Sequence, residues 1–108
     1  MILADCRTGL IVPLADSRFV AKAHERGADA VILDLEDGVA PDRKDAARQA
    51  LGAAVERLRS LATPVMVRIN REPALLEPDL LAALEAGVDH LLLPKVETVA
   101  ELDALVSL

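Results

Sequence analysis

Four short runs of consecutive aliphatic residues constrain the fold of this chain most strongly. They lie at residues 10–12, 30–33, 65–67 and 91–93, and none of them alternates apolar with polar side chains. A strand with one face in water shows such alternation, whereas a continuous aliphatic run is typical of a parallel strand covered on both faces. The sequence therefore predicts four buried parallel strands.

Helical patterns separate these runs. Between the second and third runs, apolar residues recur at spacings of four and three, which is one face of an amphipathic helix. These residues are Ala47, Leu51, Ala54, Leu58 and Leu61. Pro41 suits the first turn of this helix, where a proline removes no intrahelical hydrogen bond.

A shorter helix is predicted between the first and second runs, over about residues 17–26. Asp16 or Ser17 can serve as its N-cap, because both side chains accept hydrogen bonds from the first backbone N–H groups. Gly27 can end the helix in the left-handed conformation that favours glycine.

Two further helices complete the pattern. One is predicted over about residues 79–86 and ends at Gly87. The other begins near Thr98, where Thr98 and Glu101 have the spacing of a capping box. The last helix is expected to bury Leu102, Leu105 and Val106. The predicted order of elements is therefore βαβαβαβα.

Composition limits the partners of the chain. The 108 residues provide one domain or part of one, and 53% of them are hydrophobic, which is enough for a core. Acidic residues outnumber basic ones by 18 to 12, so the net charge of -6 repels nucleic acid and anionic membrane surfaces. Phe19 is the only aromatic residue, which leaves no stacking surface for single strands. We expect no nucleic-acid partner.

The single cysteine, Cys6, cannot form a disulfide within the chain. No leader pattern precedes it, so we expect a cytoplasmic location. No apolar run approaches the roughly 20 residues that a membrane-spanning helix needs, and we expect no membrane segment.

Two architectures fit the predicted elements. One is a small doubly wound sheet. The other is a segment of a (β/α)8 TIM barrel, of which four βα units make half, since such barrels have roughly 250 residues. A half barrel leaves two open apolar edges, which proteins normally pair or cover. On the barrel interpretation, we expect the chain to be a fragment or a half that associates.

Polar residues follow three of the four predicted strands. They lie at residues 34–38, 68–70 and 94–97. The carboxyl ends of parallel strands meet at one rim of the sheet, where ligands bind in α/β folds. The sequence therefore predicts a charged site at this rim.

The residue types at the rim indicate the chemistry of the ligand. Arg68 can bind a carboxylate through two parallel hydrogen bonds, and Asn70 can hold the loop or add a donor. Glu36 and Asp37 can accept hydrogen bonds from a hydroxyl, act as acid or base, or hold waters around a divalent cation. Lys95 can neutralise that pair or help to hold an anionic substrate. Together these side chains favour a small, oxygen-rich anionic ligand.

Each of these residues also has a plain structural interpretation. Arg68 can be an ion-pair partner of neighbouring carboxylates, Asp37 can belong to a turn, and Lys95 can be a solvated loop lysine. The charged residues 42–45 are expected on the exposed first turn of a helix. His24 and His90 lack a second ligand at metal-site spacing. Residue types and spacing alone leave these alternatives open.

Five segments in order resemble the HpcH/HpaI aldolase and citrate lyase β-subunit family. They are residues 27–41, Lys44, residues 47–48, residues 67–70 and residues 93–97. The resemblance implies a TIM barrel, with residues 1–108 forming the N-terminal half of a single lyase domain. It also implies a Mg²⁺-dependent carbon–carbon lyase that joins or separates a 2-oxo acid, such as oxaloacetate or glyoxylate, and an acyl thioester of CoA or a carrier protein.

The resemblance also implies roles for individual residues. Arg68 corresponds to the arginine that binds the oxo-acid carboxylate, and Glu36 and Asp37 to the acidic pair beside the metal. Lys95 corresponds to a lysine that supports this pair. The direct metal ligands of the family, a Glu and an Asp, are expected beyond Leu108. We therefore expect the 108-residue chain alone to be inactive.

Two other functions remain open. One is a non-catalytic half barrel that binds or assembles through its open sheet edges, which also makes a homo-oligomer the expected state. The other is a complete, small doubly wound domain that binds an anion.

Overall fold

The computed structural model of the chain describes residues 5–14 and 17–107. Within them lies a parallel sheet of four strands, β1 (Gly9–Pro13), β2 (Ala30–Asp34), β3 (Val65–Arg68) and β4 (Leu91–Leu92). The α-helices are α1 (Ser17–Lys22), α2 (Lys44–Ser60), α3 (Pro73–Glu85) and α4 (Val99–Val106). A 3-10 turn at Ala23–Arg26 continues α1, and another at Pro41–Arg43 precedes α2. The predicted α/β class with four parallel strands is confirmed.

The strands lie in the sheet in chain order, β1-β2-β3-β4. Because right-handed crossovers that all advance in one direction place their helices on one face, the helices collect on a single side. Consistent with this, α2 and α3 pack against each other. A doubly wound sheet reverses direction and carries helices on both faces. The described residues therefore do not form a doubly wound sheet.

The two faces of the sheet are buried unequally. On one face, Val31 and Leu33 are at most 1% exposed and share a core with Leu51 of α2. On the other face, Ile11 is 45% exposed and Ile32 is partly exposed. The expectation that every strand is covered on both faces is wrong for the described part of the chain, because the helices cover only the first face.

The predicted buried face of α2 is largely confirmed. Ala47, Leu51, Ala54 and Leu58 are all buried. Leu61 is 41% exposed, so its assignment to this face is wrong. The helix ends at Ser60, and Leu61 is its C-cap residue, so Leu61 no longer follows the helical repeat. Pro41 lies in the 3-10 turn before α2.

The two predicted glycine stops are confirmed. Gly27 has a φ of 81° and Gly87 a φ of 76°, both in the left-handed region. Asp16 and the side chain of Ser17, predicted to cap α1, lie outside the described part of the chain. No helix in the described ranges is long and apolar enough to cross a membrane.

Helix α3 begins earlier than the sequence predicts. It starts at Pro73 and contains Pro78 within it, whereas the predicted start was Asp79. Pro73 occupies the first turn, where its fixed φ suits a helix. Pro78 is the sixth residue of the helix and lacks the N–H that would donate to the carbonyl of Ala74, so it removes one hydrogen bond of the helix.

Helix α4 differs from the prediction in its cap and its burial. Thr98 is the N-cap residue, but its side chain makes no capping hydrogen bond. Glu101, the other member of the predicted capping box, instead accepts a hydrogen bond from Arg71 at 3.0 Å. Leu102 and Val106 are 44% and 83% exposed, while Leu105 packs against the core. This helix follows the edge strand β4, and no described element covers its outer side.

Candidate functional site

The centre of the predicted rim is an ion pair between the last residues of two neighbouring strands. Asp34 ends β2, Arg68 ends β3, and the two are directly paired in the register of the sheet. The guanidinium donates from Nε to Asp34 Oδ1 at 2.8 Å and from Nη2 to Oδ2 at 2.7 Å. Asp34 is fully buried, whereas 19% of the Arg68 side chain is exposed. Arg68 is thus held by a buried carboxylate, while part of its side chain stays exposed.

The loop after β2 folds around the same carboxylate. The backbone N–H groups of Glu36 and Gly38 donate to Asp34 at 2.9 and 2.7 Å. A Cβ atom on Gly38 would lie 2.5 Å from Asp34 Oδ2, so a side chain cannot fit there without a shift. Burial by itself raises the pKa of Asp34, but the hydrogen bonds from Arg68 and from these N–H groups outweigh it and hold the pKa below its ordinary value. Asp34 is therefore an anion at neutral pH.

Glu36 lies between two cations. Its Oε2 accepts a hydrogen bond from Lys95 Nζ at 2.9 Å, and its Oε1 is 3.6 Å from Arg68 Nε. That Oε1 atom is buried and accepts no hydrogen bond from the described residues. The hydrogen bond to Glu36 and the charge of Asp37 raise the pKa of Lys95, so its ammonium stays charged.

Asp37 is the exposed member of the group. Its side chain is 68% exposed, and its Oδ1 lies 3.5 Å from Lys95 Nζ. The positive charge of Lys95 helps to hold the pKa of Asp37 below its ordinary value. Lys95 reaches both carboxylates from a backbone with a φ of 59°, in the left-handed region that few non-glycine residues adopt.

The structure thus brings all four predicted site residues together. Glu36, Asp37, Arg68 and Lys95 lie in one cluster at the carboxyl ends of the strands. The ion-pair interpretation of Arg68 is also correct, since Asp34 occupies one edge of its guanidinium. No described residue contacts the Nη1 atom within hydrogen-bond distance, so an anionic ligand can still bind the other edge.

A buried polar layer lies beneath the cluster, and the sequence interpretation missed most of it. Lys44 was expected on an exposed helical turn, but its Nζ donates to Leu35 O, Glu36 O and Asn70 Oδ1 at 2.9, 2.6 and 2.9 Å. This expectation is wrong for Lys44, although Asp42, Arg43 and Asp45 are exposed as predicted. Lys44 is one of the residues that carry the family resemblance, which was the signal available for it.

Asn70 and Asp79 complete this layer. Asn70 Nδ2 donates to Leu35 O at 2.7 Å and to Asp79 Oδ2 at 2.6 Å. Asp79 is 1% exposed and also accepts hydrogen bonds from the Asn70 backbone and from Arg48 Nε. Asn70 therefore holds the loop after β2, which is one of the two roles predicted for it. The sequence predicts Asp79 at the start of a helix, and nothing in its local sequence indicates a buried anion.

The cluster opens into a cleft of about 540 Å³ between the N-terminal end of α3 and α4. Glu36 and Lys95 line one side, and Arg71 and Glu101 line the other. Apolar side chains such as Leu76 form part of the wall. Arg68 itself does not line this cleft; Glu36, whose Oε1 lies 3.6 Å from Arg68 Nε, does.

The described residues supply part of the environment of a divalent cation but not a ligand set. Within these residues, no three side chains of His, Cys, Asp or Glu converge to hold a metal ion. Glu36 Oε1 lacks a hydrogen-bond donor, and Asp37 is exposed, so both can accept hydrogen bonds from waters of a hydrated cation. These residues could therefore bind the water shell of a hydrated Mg²⁺ ion, but they do not supply its direct ligands.

Fold and cluster together define a class, namely parallel α/β proteins with a cluster of charged side chains at the carboxyl ends of their strands. The family model for HpcH/HpaI aldolase/citrate lyase matches residues 7–108. Citrate lyase subunit beta of Leuconostoc mesenteroides subsp. cremoris is 37% identical over 103 residues, which cover 94% of this chain and 34% of that protein. The chain therefore belongs to the HpcH/HpaI aldolase/citrate lyase family.

Two further similarities bear on the ligand. A (3S)-malyl-CoA thioesterase of Cereibacter sphaeroides is 38% identical over 103 residues, covering 94% of this chain and 36% of that protein. The solved structure of a citrate lyase beta subunit from M. tuberculosis, complexed with oxaloacetate and magnesium, has a TM-score of 0.74 and 39% identity, covering 97% of this chain and 46% of that one. The chain thus spans about a third of the length of the curated relatives that it matches.

Proposed function

We propose that this chain forms the N-terminal half of a (β/α)8 TIM-barrel lyase domain and supplies about its first four βα units. The strand order β1-β2-β3-β4, without reversal, supports this proposal, because a barrel wall is built in chain order. The exposed second face of the sheet also supports it. In a barrel, that face points to the interior and is covered by side chains of the remaining strands.

We further propose that the complete domain is a Mg²⁺-dependent carbon–carbon lyase. Its substrate class is a 3-hydroxyacyl thioester, citryl-like or malyl-like, which it cleaves to an acyl thioester and a 2-oxo acid, or forms from them. The observation that carries the proposal is the Arg68 guanidinium, which Asp34 holds on one edge and leaves open on the other, beside Glu36. A guanidinium that is held on one edge and has donors left on the other suits the carboxylate of a 2-oxo acid.

Each site residue has a proposed role. Arg68 binds and orients the carboxylate of the oxo acid. Glu36 and Asp37 accept hydrogen bonds from water at the mouth, including water of a hydrated cation, and Lys95 keeps this acidic pair in place. When bound, Mg²⁺ supplies positive charge that stabilises oxygen anions of the substrate. Its direct ligands are expected at later strand ends, beyond Leu108.

In the cleavage direction, the bond between the hydroxyl-bearing carbon and the α-carbon of the thioester breaks. The hydroxyl loses its proton and becomes the carbonyl of the 2-oxo acid. The bonding electron pair passes to the α-carbon of the acyl thioester as an enolate, which then takes up a proton. Preorganised charges at the rim lower the energy of this charged transition state.

The test is an assay of the longer protein that carries these residues, with citryl-CoA, malyl-CoA and citramalyl-CoA as substrates. A 2-oxo acid is detected as its hydrazone, and free CoA is detected with a thiol reagent. We expect release of the oxo acid, its loss with EDTA and its return with Mg²⁺. Release of thiol without any oxo acid would assign a thioesterase instead, and release of neither product would overturn the proposed substrate class.

A second candidate function is a half barrel that assembles through its sheet edges. Ile11 and Phe19 favour it, because they are 45% and 54% exposed and line one groove beside the edge strand β1. An exposed apolar edge strand is a site for pairing with another chain. Sedimentation of the 108-residue chain tests this function: a dimer supports it, and a monodisperse monomer contradicts it.

A further inference from the structure

Lys44 uses all of its hydrogen-bonding capacity beneath the candidate site. Its ammonium carries three N–H donors, and three oxygen atoms lie within 2.9 Å, on Leu35, Glu36 and Asn70. Two of these acceptors are main-chain carbonyl groups of the loop after β2. No carboxylate of the described residues lies within ion-pair distance of the Lys44 ammonium group. The contacts of Lys44 are therefore directed at the backbone of this loop and not at charge neutralisation.

The position of Lys44 does not favour the helix that it begins. Lys44 is the first residue of α2, where the exposed N–H groups make the local potential positive. A cation at this end of a helix is less favourable than a neutral or acidic residue. Helix stability therefore does not explain a lysine here, whereas its three hydrogen bonds do.

The bond from Lys44 to the Glu36 carbonyl helps to fix the main chain of Glu36. The N–H of Glu36 donates to Asp34 Oδ1 at 2.9 Å. The carbonyl oxygen of Glu36 accepts from Lys44 Nζ at 2.6 Å and from the Val39 backbone at 3.1 Å. Both peptide groups of Glu36 are thus held, and the carboxyl group extends from this fixed backbone toward Lys95.

We propose that Lys44 is a positioning residue, which holds the main chain of Glu36 and thereby sets where the Glu36 carboxylate lies between Arg68 and Lys95. Asn70 provides the rigid base for this contact, because its own side chain is bound to Leu35 and Asp79. Lys44 does not touch the ligand site itself; it acts through Glu36. This inference deepens the proposed function, since it assigns the support of that same site.

The experiment is a double-mutant cycle in the complete protein, with K44M, E36Q and the double variant. K44M keeps the length of the side chain and removes its donors. Lys22, an exposed residue of α1, provides the matched control K22M. We expect K44M to lower kcat/KM about tenfold, mostly through kcat, and we expect no further loss when K44M is added to E36Q. K22M should match the wild type.

A second readout is independent of turnover. NMR titration of the Lys95 side chain, assigned with K95R, measures a pKa that its hydrogen bond to Glu36 raises. In K44M this pKa should return toward that of an ordinary lysine, and in K22M it should not change. If the wild type proves inactive with the proposed substrates, the proposed function fails and the Lys95 titration still decides the role of Lys44.

Two results would overturn the inference. One is an equal loss of kcat/KM from K44M in the wild-type and E36Q backgrounds, which indicates a general structural role. The other is a Lys95 titration in K44M that is the same as in K22M. If K44M does not fold, K44R keeps the charge and serves in the same comparisons, with partial effects expected in place of complete ones.

Discussion

Asp34 and Arg68 are the last residues of two neighbouring strands, and the guanidinium is bound to the carboxylate by hydrogen bonds of 2.8 and 2.7 Å. Asp34 contacts Nε and Nη2, which form one edge of the guanidinium, and no residue that the structure describes accepts a hydrogen bond from Nη1. The same carboxylate accepts two backbone N–H groups of the following loop. Asp34 therefore orients both the proposed ligand-binding arginine and the loop that carries Glu36.

Replacing Asp34 with Asn should destabilise the protein. The amide nitrogen of asparagine cannot accept the hydrogen bonds that one Asp34 oxygen receives, and Arg68 would lose its buried counter-charge. We expect D34N to lower the free energy of unfolding by about 3 kcal/mol, measured by urea denaturation. The control is D37N, at a carboxylate that is 68% exposed, where the change should be small. Equal stability of the two variants would contradict the central role of Asp34.

The contribution of Asp34 should depend on pH in one direction. Its pKa is lower in the folded protein than in the unfolded chain, so its stabilisation is present above about pH 4 and is lost as the pH falls through the folded value. The difference in unfolding free energy between the wild type and D34N should therefore be constant near neutral pH and shrink in acid. Urea denaturation at a series of pH values measures this difference. A difference that grows in acid would contradict the prediction.

Adding a methyl group at Gly38 should disturb the same carboxylate. An added Cβ would lie 2.5 Å from Asp34 Oδ2. We expect G38A to lower the free energy of unfolding by about 1–3 kcal/mol, which is the usual cost of an overpacked site. Gly52 is the matched control, because it lies within α2 and an added Cβ there meets nothing within 4 Å. G52A should stabilise the protein by about 0.5–1 kcal/mol, since alanine favours a helix. A G38A variant as stable as G52A would exclude the predicted clash.

The fold was predictable where the pattern was local. Continuous aliphatic runs identified β2 and β3, and Gly27 and Gly87 marked the ends of elements, because a left-handed φ favours glycine. Burial on the second face was not predictable in the same way. It depends on which elements lie across the sheet, as the exposure of Ile11 shows. The exposed Val106 of α4 has the same cause, since an apolar pattern does not say what covers it.

The site was predictable to the extent that strand ends could be located. Arg68 and Glu36 could be placed at one rim because parallel strands end together. The Arg68–Asp34 pair required the register, which sets these two residues side by side. Lys44 and Asp79 depend on contacts over 26 and 31 positions in the chain, with Asn70 and Arg48. Such contacts have no local signature in a single sequence.

The most direct test of the proposed site is calorimetric titration of oxaloacetate, with Mg²⁺ present, into the complete protein and its R68A variant. We expect R68A to weaken binding by about tenfold to a hundredfold, because a charge-assisted pair of hydrogen bonds to the carboxylate is lost. The control is R59A, an arginine beside Gly87 and Asp89 at the opposite, amino-terminal end of the sheet, which should bind as the wild type does. Equal affinity of R68A and R59A for oxaloacetate would contradict the account.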